Sequence, residues 1–209
     1  MKKIGVLGGT FDPIHCGHLV IAEDARACLH LEKVLFVPAH QPPHKPTGSY
    51  SALEHRVHMT ELAVADNPHF VLSLIEAERP GPSYSVDTVR QLRDESGPGV
   101  DLYFVIGMDS LANILRWCRP AELIKLCRIV VAERAGYQVD LETLEEGLPG
   151  LRENLVLIDT PELFISSTDL QQRVRRGLPI RYQVPSEVER YIYEHKLYLN
   201  EDDAARGYE

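Results

Sequence analysis

Residues 8–18 of this 209-residue chain read GGTFDPIHCGH and directly follow the apolar run Ile4-Gly5-Val6-Leu7. The apolar run is short and ends at two glycines, which predicts a buried strand followed by a tight turn. From Gly17 to His30, apolar and small residues recur at helical spacing. A glycine-rich turn before a helix points backbone N–H groups at an anion, and the helix dipole favours negative charge there. The stretch therefore predicts a phosphate site at the end of the first strand.

Strand and helix patterns alternate along the rest of the chain. Short apolar runs predict further strands at 34–37, 70–75, 100–106, 129–131 and 155–158. Helical spacing and capping signals predict helices at 53–66, 84–95, through 111–123, at 140–148, from Ser167 or Thr168 to about Gly177, and from Pro185. The segment Ser51-Ala52-Leu53-Glu54 has the pattern of a capping box for the first of these helices.

This alternation is typical of a parallel sheet covered by helices. The sequence predicts an α/β fold, namely a single doubly wound, mostly parallel, Rossmann-like sheet with a short helical C-terminal part. We expect residues 1–199 to form one domain and residues 200–209 to be a polar, flexible tail.

Composition limits the classes of function. The chain has 22 Lys and Arg against 31 Asp and Glu, a formal net charge of −9, which argues against non-specific nucleic-acid binding. No apolar run has the length of a membrane span, and the N-terminus lacks a secretory apolar region. None of the four cysteines forms a CxxC pair. We expect a cytoplasmic enzyme with reduced thiols and no membrane or nucleic-acid partner. The sequence leaves a homo-oligomer open.

Several candidate site residues follow predicted strands, at the edge where an open parallel sheet binds its ligands. They are His15, His18, Lys45, Asp109, Trp117 and the hydroxyls of 166–168. Each also has a structural interpretation. The histidine pair could be one surface and one core histidine, and the others a solvated lysine, an N-cap aspartate, a core tryptophan and capping hydroxyls. The glycines beside the histidine pair favour phosphate binding, with imidazole donors that can also carry protonated charge. Metal binding is disfavoured because no third ligand lies at a useful spacing.

Five segments carry a resemblance to a known family. They are GGTFDPIHCGH at 8–18, PPHK at 42–45, SYSVDT at 83–88, GMDSL at 107–111 with Trp117, and ISST at 165–168. In this order, over residues 3–198, they resemble the HxGH nucleotidyltransferases, and most closely the bacterial nicotinate-nucleotide adenylyltransferases. The first segment is typical of the superfamily, whereas SYSVDT and GMDSL with Trp117 are similar to motifs of the pyridine-nucleotide branch.

The resemblance implies that ATP and nicotinate mononucleotide react to give deamido-NAD and pyrophosphate in NAD biosynthesis, with Mg²⁺ on the ATP. It implies catalytic roles for His15, His18 and Lys45. It implies that ATP is bound by Gly8, Gly9, Thr10, Phe11, His15, His18, Gly107, Asp109, Arg134, Ile165, Ser166, Ser167 and Thr168. Nicotinate mononucleotide would be bound by Thr10, Lys45, Tyr84, Ser85 and Trp117.

Three positions depart from the family pattern. Ser85 stands where Thr is usual, and Ala135 replaces a usual Pro after Arg134. Gln171 stands where an Arg commonly contacts the β- and γ-phosphates, and Gln supplies neither charge nor a bidentate fork. We hypothesise that Arg173 or Arg175 compensates for Gln171.

Cys16 occupies the variable position of HxGH. Its place near a helix N-terminus and two histidines predicts a lowered thiol pKa. Iodoacetamide is then expected to inactivate the enzyme and ATP to protect it.

Two alternatives remain open on the sequence. One is another adenylyltransferase of the same fold that uses nicotinamide mononucleotide or phosphopantetheine as acceptor. The other is a nucleotide-binding protein without catalysis, for which Gln171 is the supporting feature.

Overall fold

Six strands form one sheet in this computed structural model, which describes residues 2–43, 45–46, 48–133, 139–161 and 163–199. The strands are β1 (Lys2–Gly9), β2 (Lys33–Pro38), β3 (Phe70–Leu72), β4 (Val100–Gly107), β5 (Arg128–Ala132) and β6 (Leu155–Ile158). Their order is β3-β2-β1-β4-β5-β6, and all five neighbouring pairs are parallel. The predicted α/β, doubly wound parallel sheet is confirmed.

Helices connect and cover these strands. They are α1 (Cys16–Leu29), α2 (Leu53–Val64), α3 (Ser85–Ser96), α4 (Met108–Ala112), α5 (Pro120–Leu126), α6 (Leu141–Gly147), α7 (Leu151–Asn154), α8 (Ser167–Arg175) and α9 (Ser186–Glu194). A short 3-10 helix, Ile114–Arg116, lies between α4 and α5. No helix within the described ranges is both long and apolar enough to cross a membrane.

Alternating side chains of the buried strands pack into two separate layers. Leu7 of β1 belongs to the layer formed with α1, α2, α8 and α9, whereas Val6 belongs to the layer formed with α3, α4, α5 and α7. Both faces of a parallel sheet are thus covered, which explains why its strands are nearly continuous apolar runs. The order of strands reverses between β1 and β4, and the crevice beyond their carboxyl ends is the expected ligand site.

Two element predictions were wrong. The strand expected over 70–75 ends at Leu72, because the chain turns there and places Glu76 inside the protein. The helical stretch expected from Leu111 to Leu123 is divided among three short helices, which are separated at Asn113 and again at 117–119. Arg119, directly before the last of them, has a φ of +49°. A left-handed residue cannot continue an α-helix, so the helix begins again at Pro120.

Two helix caps also differ from the prediction. The N-cap of α2 is Ala52 without a side-chain bond, because the backbone groups of Ser51 bind Asp12 and Arg56 instead. The N-cap of α8 is Ser166, whose hydroxyl accepts from the Asp169 N–H, rather than Ser167 or Thr168. The predicted tail, 200–209, lies outside the described residues.

Candidate active site

A cleft of about 840 Å³ opens beyond the carboxyl ends of β1 and β4. It is lined by residues of the β1–α1 turn, the loop after β2, the start of α3, and the segment that follows β4. Two glycines of the first motif fit this turn for steric reasons. A Cβ on Gly9 would lie 2.8 Å from the Phe11 ring, and one on Gly17 would lie 3.0 Å from Nδ1 of His15. Side chains at these positions would displace the aromatic groups that shape the turn.

His15 and His18 lie together at the N-terminus of α1. Their rings stack at a centroid distance of 3.7 Å, and the Phe11 ring contacts His18 edge-on at 5.1 Å. Nδ1 of His18 accepts a hydrogen bond from the backbone N–H of His15 at 3.2 Å. A neutral His18 that accepts at Nδ1 carries its proton on Nε2. The geometry therefore assigns His18 the tautomer in which Nε2 is a donor.

Both histidines are neutral at pH 7 in the free protein. Burial lowers the pKa of His15 to about 4. Burial holds the pKa of His18 well below its usual range, and repulsion between the two imidazoles when His15 is protonated lowers it further. The expectation that the pair can carry protonated charge is therefore wrong for the free state, because burial disfavours the charged form of both imidazoles. A bound phosphate would reverse this by supplying negative charge at the rings.

Other predicted residues line the same cleft. They are Gly8, Gly9, Thr10, Lys45, Tyr84, Ser85, Gly107, Asp109, Trp117 and Ile165. Trp117 is half-buried and packs edge-on against Phe104 at 6.2 Å, which leaves part of the indole free to face the cleft. Tyr84 occupies the N-cap position of α3, but its side chain makes no hydrogen bond to the first backbone N–H groups of that helix. The first N–H groups of α3 therefore remain suited to an anionic ligand.

Some predicted residues do not line the cleft. Phe11 is buried beneath the turn against Phe36, and its φ is +51°. Ser166 caps α8, and Ser167 donates to the Pro13 carbonyl at 2.9 Å. Thr168 is exposed at the start of α8. Arg134 and Ala135 lie outside the described residues.

The sequence reasoning missed Arg116 and Glu76, which also line the cleft. Arg116 adds a second cation to Lys45, and its place directly before Trp117 is the signal that could have identified it. Glu76 is a buried carboxyl between Ser83 and Thr88, and burial raises its pKa. Its Oε1 accepts from the Thr88 hydroxyl at 2.5 Å. No local pattern marks Glu76, because it follows a short strand in an irregular turn.

Comparisons with known proteins agree with this geometry. A model of the cytidylyltransferase-like family matches residues 6–173. A protein of Roseiflexus sp. (strain RS-1), named "Probable nicotinate-nucleotide adenylyltransferase", is 50% identical over 196 residues, 93% of this chain and 97% of its own length. A protein of the same name from Moorella thermoacetica is 47% identical over 200 residues, 94% of this chain and 91% of its own length.

This chain belongs to the nicotinate-nucleotide adenylyltransferase family. A solved structure of Plasmodium falciparum nicotinic acid mononucleotide adenylyltransferase, complexed with NaAD, aligns with a TM-score of 0.78 at 21% identity. That alignment covers 95% of this chain and 98% of the other, and it supports the fold of this adenylyltransferase. The resemblance read from the sequence motifs is confirmed.

The departure at position 171 of this adenylyltransferase has a structural explanation. Nε2 of Gln171 donates to the carbonyl and to the carboxylate of Asp12 at 2.7 and 3.0 Å. The guanidinium of Arg173 donates twice to the Pro179 carbonyl, at 3.0 and 2.8 Å. Neither Arg173 nor Arg175 is among the residues that line the cleft. The contacts of Arg173 argue against the hypothesis that it replaces the phosphate contact of an arginine at position 171. For Arg175 this replacement remains a hypothesis.

The prediction for Cys16 is wrong in its direction. Burial raises the pKa of the Cys16 thiol, and its own backbone N–H offsets this only in part. The two histidines beside it are neutral, so they supply no positive charge to stabilise a thiolate. Among the described residues, no three His, Cys, Asp or Glu side chains are grouped so that they could hold a metal ion.

Proposed function

We propose that this adenylyltransferase transfers the adenylyl group of ATP to nicotinate mononucleotide, giving deamido-NAD and pyrophosphate in NAD biosynthesis. One observation carries the proposal. A single cleft contains the stacked His15 and His18 at the N-terminus of α1, together with the uncapped N-terminus of α3 beside Trp117. The first feature suits a phosphate chain, and the second suits an aromatic ring that bears an anionic group.

The reaction needs positioned donors rather than a protein nucleophile. A phosphate oxygen of the acceptor attacks the α-phosphorus of ATP, a new P–O bond forms, and the bond to the β-phosphate oxygen breaks to release pyrophosphate. The attacking oxygen is already anionic, so no base is required. Nε2 of His18 is a neutral donor in a water-poor turn, where it can stabilise the charge that develops on phosphate oxygens. Loss of one such donor typically lowers kcat by about 10²–10³-fold.

Among the described residues that line the cleft, Lys45 and Arg116 supply positive charge. Two cations do not neutralise a triphosphate and an acceptor phosphate together. We expect Mg²⁺ to bind through the ATP phosphates and to supply the remaining neutralisation. Gly107 ends β4 and Asp109 follows it at the same edge of the sheet, where both suit the ribose of the adenylyl group.

The acceptor end of the cleft favours an acid over an amide. The N-terminus of α3 carries partial positive charge, and its first N–H groups have no side-chain cap. A carboxylate at this position gains about 1 kcal/mol relative to a neutral amide, which corresponds to roughly a fivefold preference. Trp117 adds stacking to the pyridine ring, a contact that acid and amide share.

The test is pyrophosphate release from ATP and Mg²⁺ with four separate acceptors: nicotinate mononucleotide, nicotinamide mononucleotide, phosphopantetheine and FMN. We expect turnover that is selective for nicotinate mononucleotide. A Trp117→Ala variant should raise the KM of both pyridine mononucleotides and leave the KM of ATP unchanged. Turnover with phosphopantetheine alone would contradict the proposal in favour of another adenylyltransferase.

ATP binding without turnover of any acceptor would identify a non-catalytic nucleotide-binding protein. Gln171 supported that alternative on the sequence, but its contacts with Asp12 give it a structural task that is compatible with catalysis. We expect the reaction to take place in the cytoplasm, where the four free cysteines stay reduced.

A further inference from the structure

Asp12 is a buried carboxylate in the β1–α1 turn that faces no cation at hydrogen-bond distance among its described partners. Its Oδ1 accepts from the Tyr198 hydroxyl at 2.7 Å. Its Oδ2 accepts from the Ser51 backbone N–H at 3.0 Å and from Nε2 of Gln171 at 3.0 Å. A buried carboxylate is tolerated when such donors satisfy it, and losing one of them is costly.

These donors come from parts of the chain that are far apart in sequence. Gln171 lies on α8, 159 residues from Asp12, and Tyr198 follows α9 at a separation of 186 residues. The Ser167 hydroxyl adds a bond from the first turn of α8 to the Pro13 carbonyl at 2.9 Å. The β1–α1 turn is therefore tied to the N-terminal half of α8 and to the segment after α9.

The position of Asp12 links these contacts to the site. It lies three residues before His15, which is the N-cap of α1, and Gln171 lies on the second turn of α8. A shift of the Asp12 backbone would move the N-terminus of α1 relative to that of α8. His15 and His18 at the start of α1 line the cleft, and so does Ile165, directly before the N-cap of α8. The relative position of the two helix starts therefore shapes the part of the cleft that would hold the triphosphate.

We propose that Asp12, Gln171 and Tyr198 form a clasp of positioning residues that fixes the N-termini of α1 and α8 for the triphosphate of ATP. This inference rests on the proposed function for the identity of the ligand. Gln171 serves the clasp as a neutral donor, since its single Nε2 reaches both the carbonyl and the carboxylate of Asp12. The Tyr198 hydroxyl remains a donor, because burial and the nearby Asp12 carboxylate raise its pKa.

Two variants and a matched control test the clasp. Tyr198→Phe removes the hydroxyl that donates to Oδ1, and Gln171→Leu removes the donor to Oδ2 while it retains similar volume. The control is Tyr191→Phe. The hydroxyl of Tyr191, on α9, lies 2.9 Å from Nδ1 of His55, on α2, and Asp12 is not its partner. The dissociation constants of ATP and of nicotinate mononucleotide are measured separately by calorimetry, and the thermal midpoint is measured for each variant.

We expect Tyr198→Phe and Gln171→Leu each to weaken ATP binding about tenfold, as loss of a hydrogen bond to a buried charge implies. Binding of nicotinate mononucleotide should change less than twofold, and Tyr191→Phe should change neither constant. If both clasp variants lower the thermal midpoint but leave the ATP constant within twofold of the wild type, the clasp has only a structural role and the inference fails. Failure of the proposed function would appear separately, as a wild type that binds ATP but does not turn over nicotinate mononucleotide.

Discussion

A buried carboxyl supports each of the two ends of the cleft, the one that we propose binds ATP (the ATP side) and the one that we propose binds the acceptor (the acceptor side). The two carboxyls are stabilised in different ways. On the ATP side, Asp12 collects donors from residues up to 186 positions away. On the acceptor side, Glu76 binds the hydroxyls of Ser83 and Thr88, at most 12 positions away. The ATP side therefore depends on the whole fold, whereas the acceptor side is largely a self-contained turn. Substitutions on the two sides should accordingly separate stability from specificity.

The largest expected effect is on the ATP side, at Arg56 of α2. Its buried guanidinium donates to the carbonyls of Ser51, Thr10 and Ala39 at 2.9, 3.0 and 2.6 Å and, at 3.3 Å, to that of His40. Arg56→Met keeps the volume but leaves four carbonyls without this donor. We expect the free energy of unfolding to fall by about 3–5 kcal/mol, measured by urea denaturation.

The matched variant on the acceptor side is Arg79→Met. Arg79 is half-buried and donates to Thr88 at 2.8 Å and to Gln91 at 3.4 Å. Its loss should cost about 1 kcal/mol, in the ordinary range for a hydrogen-bonded pair that water can reach. If Arg56→Met and Arg79→Met lowered the free energy of unfolding equally, the two sides of the cleft would not differ in how far their stability depends on the whole fold.

The next effect concerns specificity and is expected at Glu76. The Ser83 hydroxyl already accepts from the backbone N–H groups of His40 and Gln41, so it can only donate toward Glu76. The Thr88 hydroxyl accepts from Arg79 and donates to Glu76. The Glu76 carboxyl offers two oxygens to these two hydroxyl donors, whereas the amide of a glutamine would offer one oxygen and place an NH₂ donor in the position of the other.

Glu76→Gln should consequently shift the start of α3, where Tyr84 and Ser85 line the cleft. We expect the KM of nicotinate mononucleotide to rise about tenfold with the KM of ATP unchanged. The control is Glu78→Gln, an exposed carboxyl in the same turn. A rise in both KM values by the same factor would show that the turn supports the entire cleft.

The sequence predicted the acceptor side better than the supports of the ATP side, for a physical reason. Local motifs such as SYSVDT place a turn, a helix start and its hydroxyls within a few residues, and the structure brings them to the cleft. The contacts of Asp12 with Gln171 and Tyr198 depend on how distant helices pack on the sheet. No short-range sequence pattern predicts such contacts. From the sequence alone, Gln171 is therefore interpreted as the loss of an arginine that binds phosphate.

The same limit explains the errors at the termini of elements. Ser51 has the right spacing for a capping box, yet Asp12 and Arg56 engage its backbone. Helical periodicity continues through Leu115, but the left-handed Arg119 breaks it, and the carboxylate of Asp87 on α3 binds the Arg119 side chain. Tertiary contacts thus override local preference at the places where the chain shapes the cleft.

A smaller effect is expected in the protonation of His15 on the ATP side. Unfolded His15 would titrate near 6.5, whereas burial lowers its pKa to about 4 in the free protein. Between these values the unfolded state binds more protons, so stability contributed at this site falls as the pH falls from 6.5 towards 4. Phosphate oxygens raise the pKa again, so ATP binding takes up protons in this window and strengthens as the pH falls.

Calorimetry of ATP binding at pH 5.5–6 in two buffers of different ionisation enthalpy measures this uptake. We expect up to about one proton per ATP in the wild type and a clear reduction in His15→Gln. The control is His30→Asn at the far end of α1, which should keep the wild-type uptake because His30 does not line the cleft. Identical uptake in the wild type and His15→Gln would place the titrating group elsewhere.

The smallest expected effect is the alkylation of Cys16. This residue begins α1 on the ATP side, next to His15, but it is not one of the residues that support the site. Burial raises the pKa of its thiol, and the side chain is half-buried, whereas Cys28 at the other end of α1 is exposed. Because the thiolate is the reactive form, iodoacetamide at pH 8 should modify Cys28 at least about tenfold faster than Cys16. Mass spectrometry of timed samples gives both rates from one reaction.

Activity should persist while iodoacetamide consumes Cys28. The control variant Cys28→Ser should alter neither the activity nor the rate of modification at Cys16. Faster modification of Cys16 than of Cys28 would show that its thiolate is stabilised despite burial, and would place a positive charge beside the neutral histidine pair.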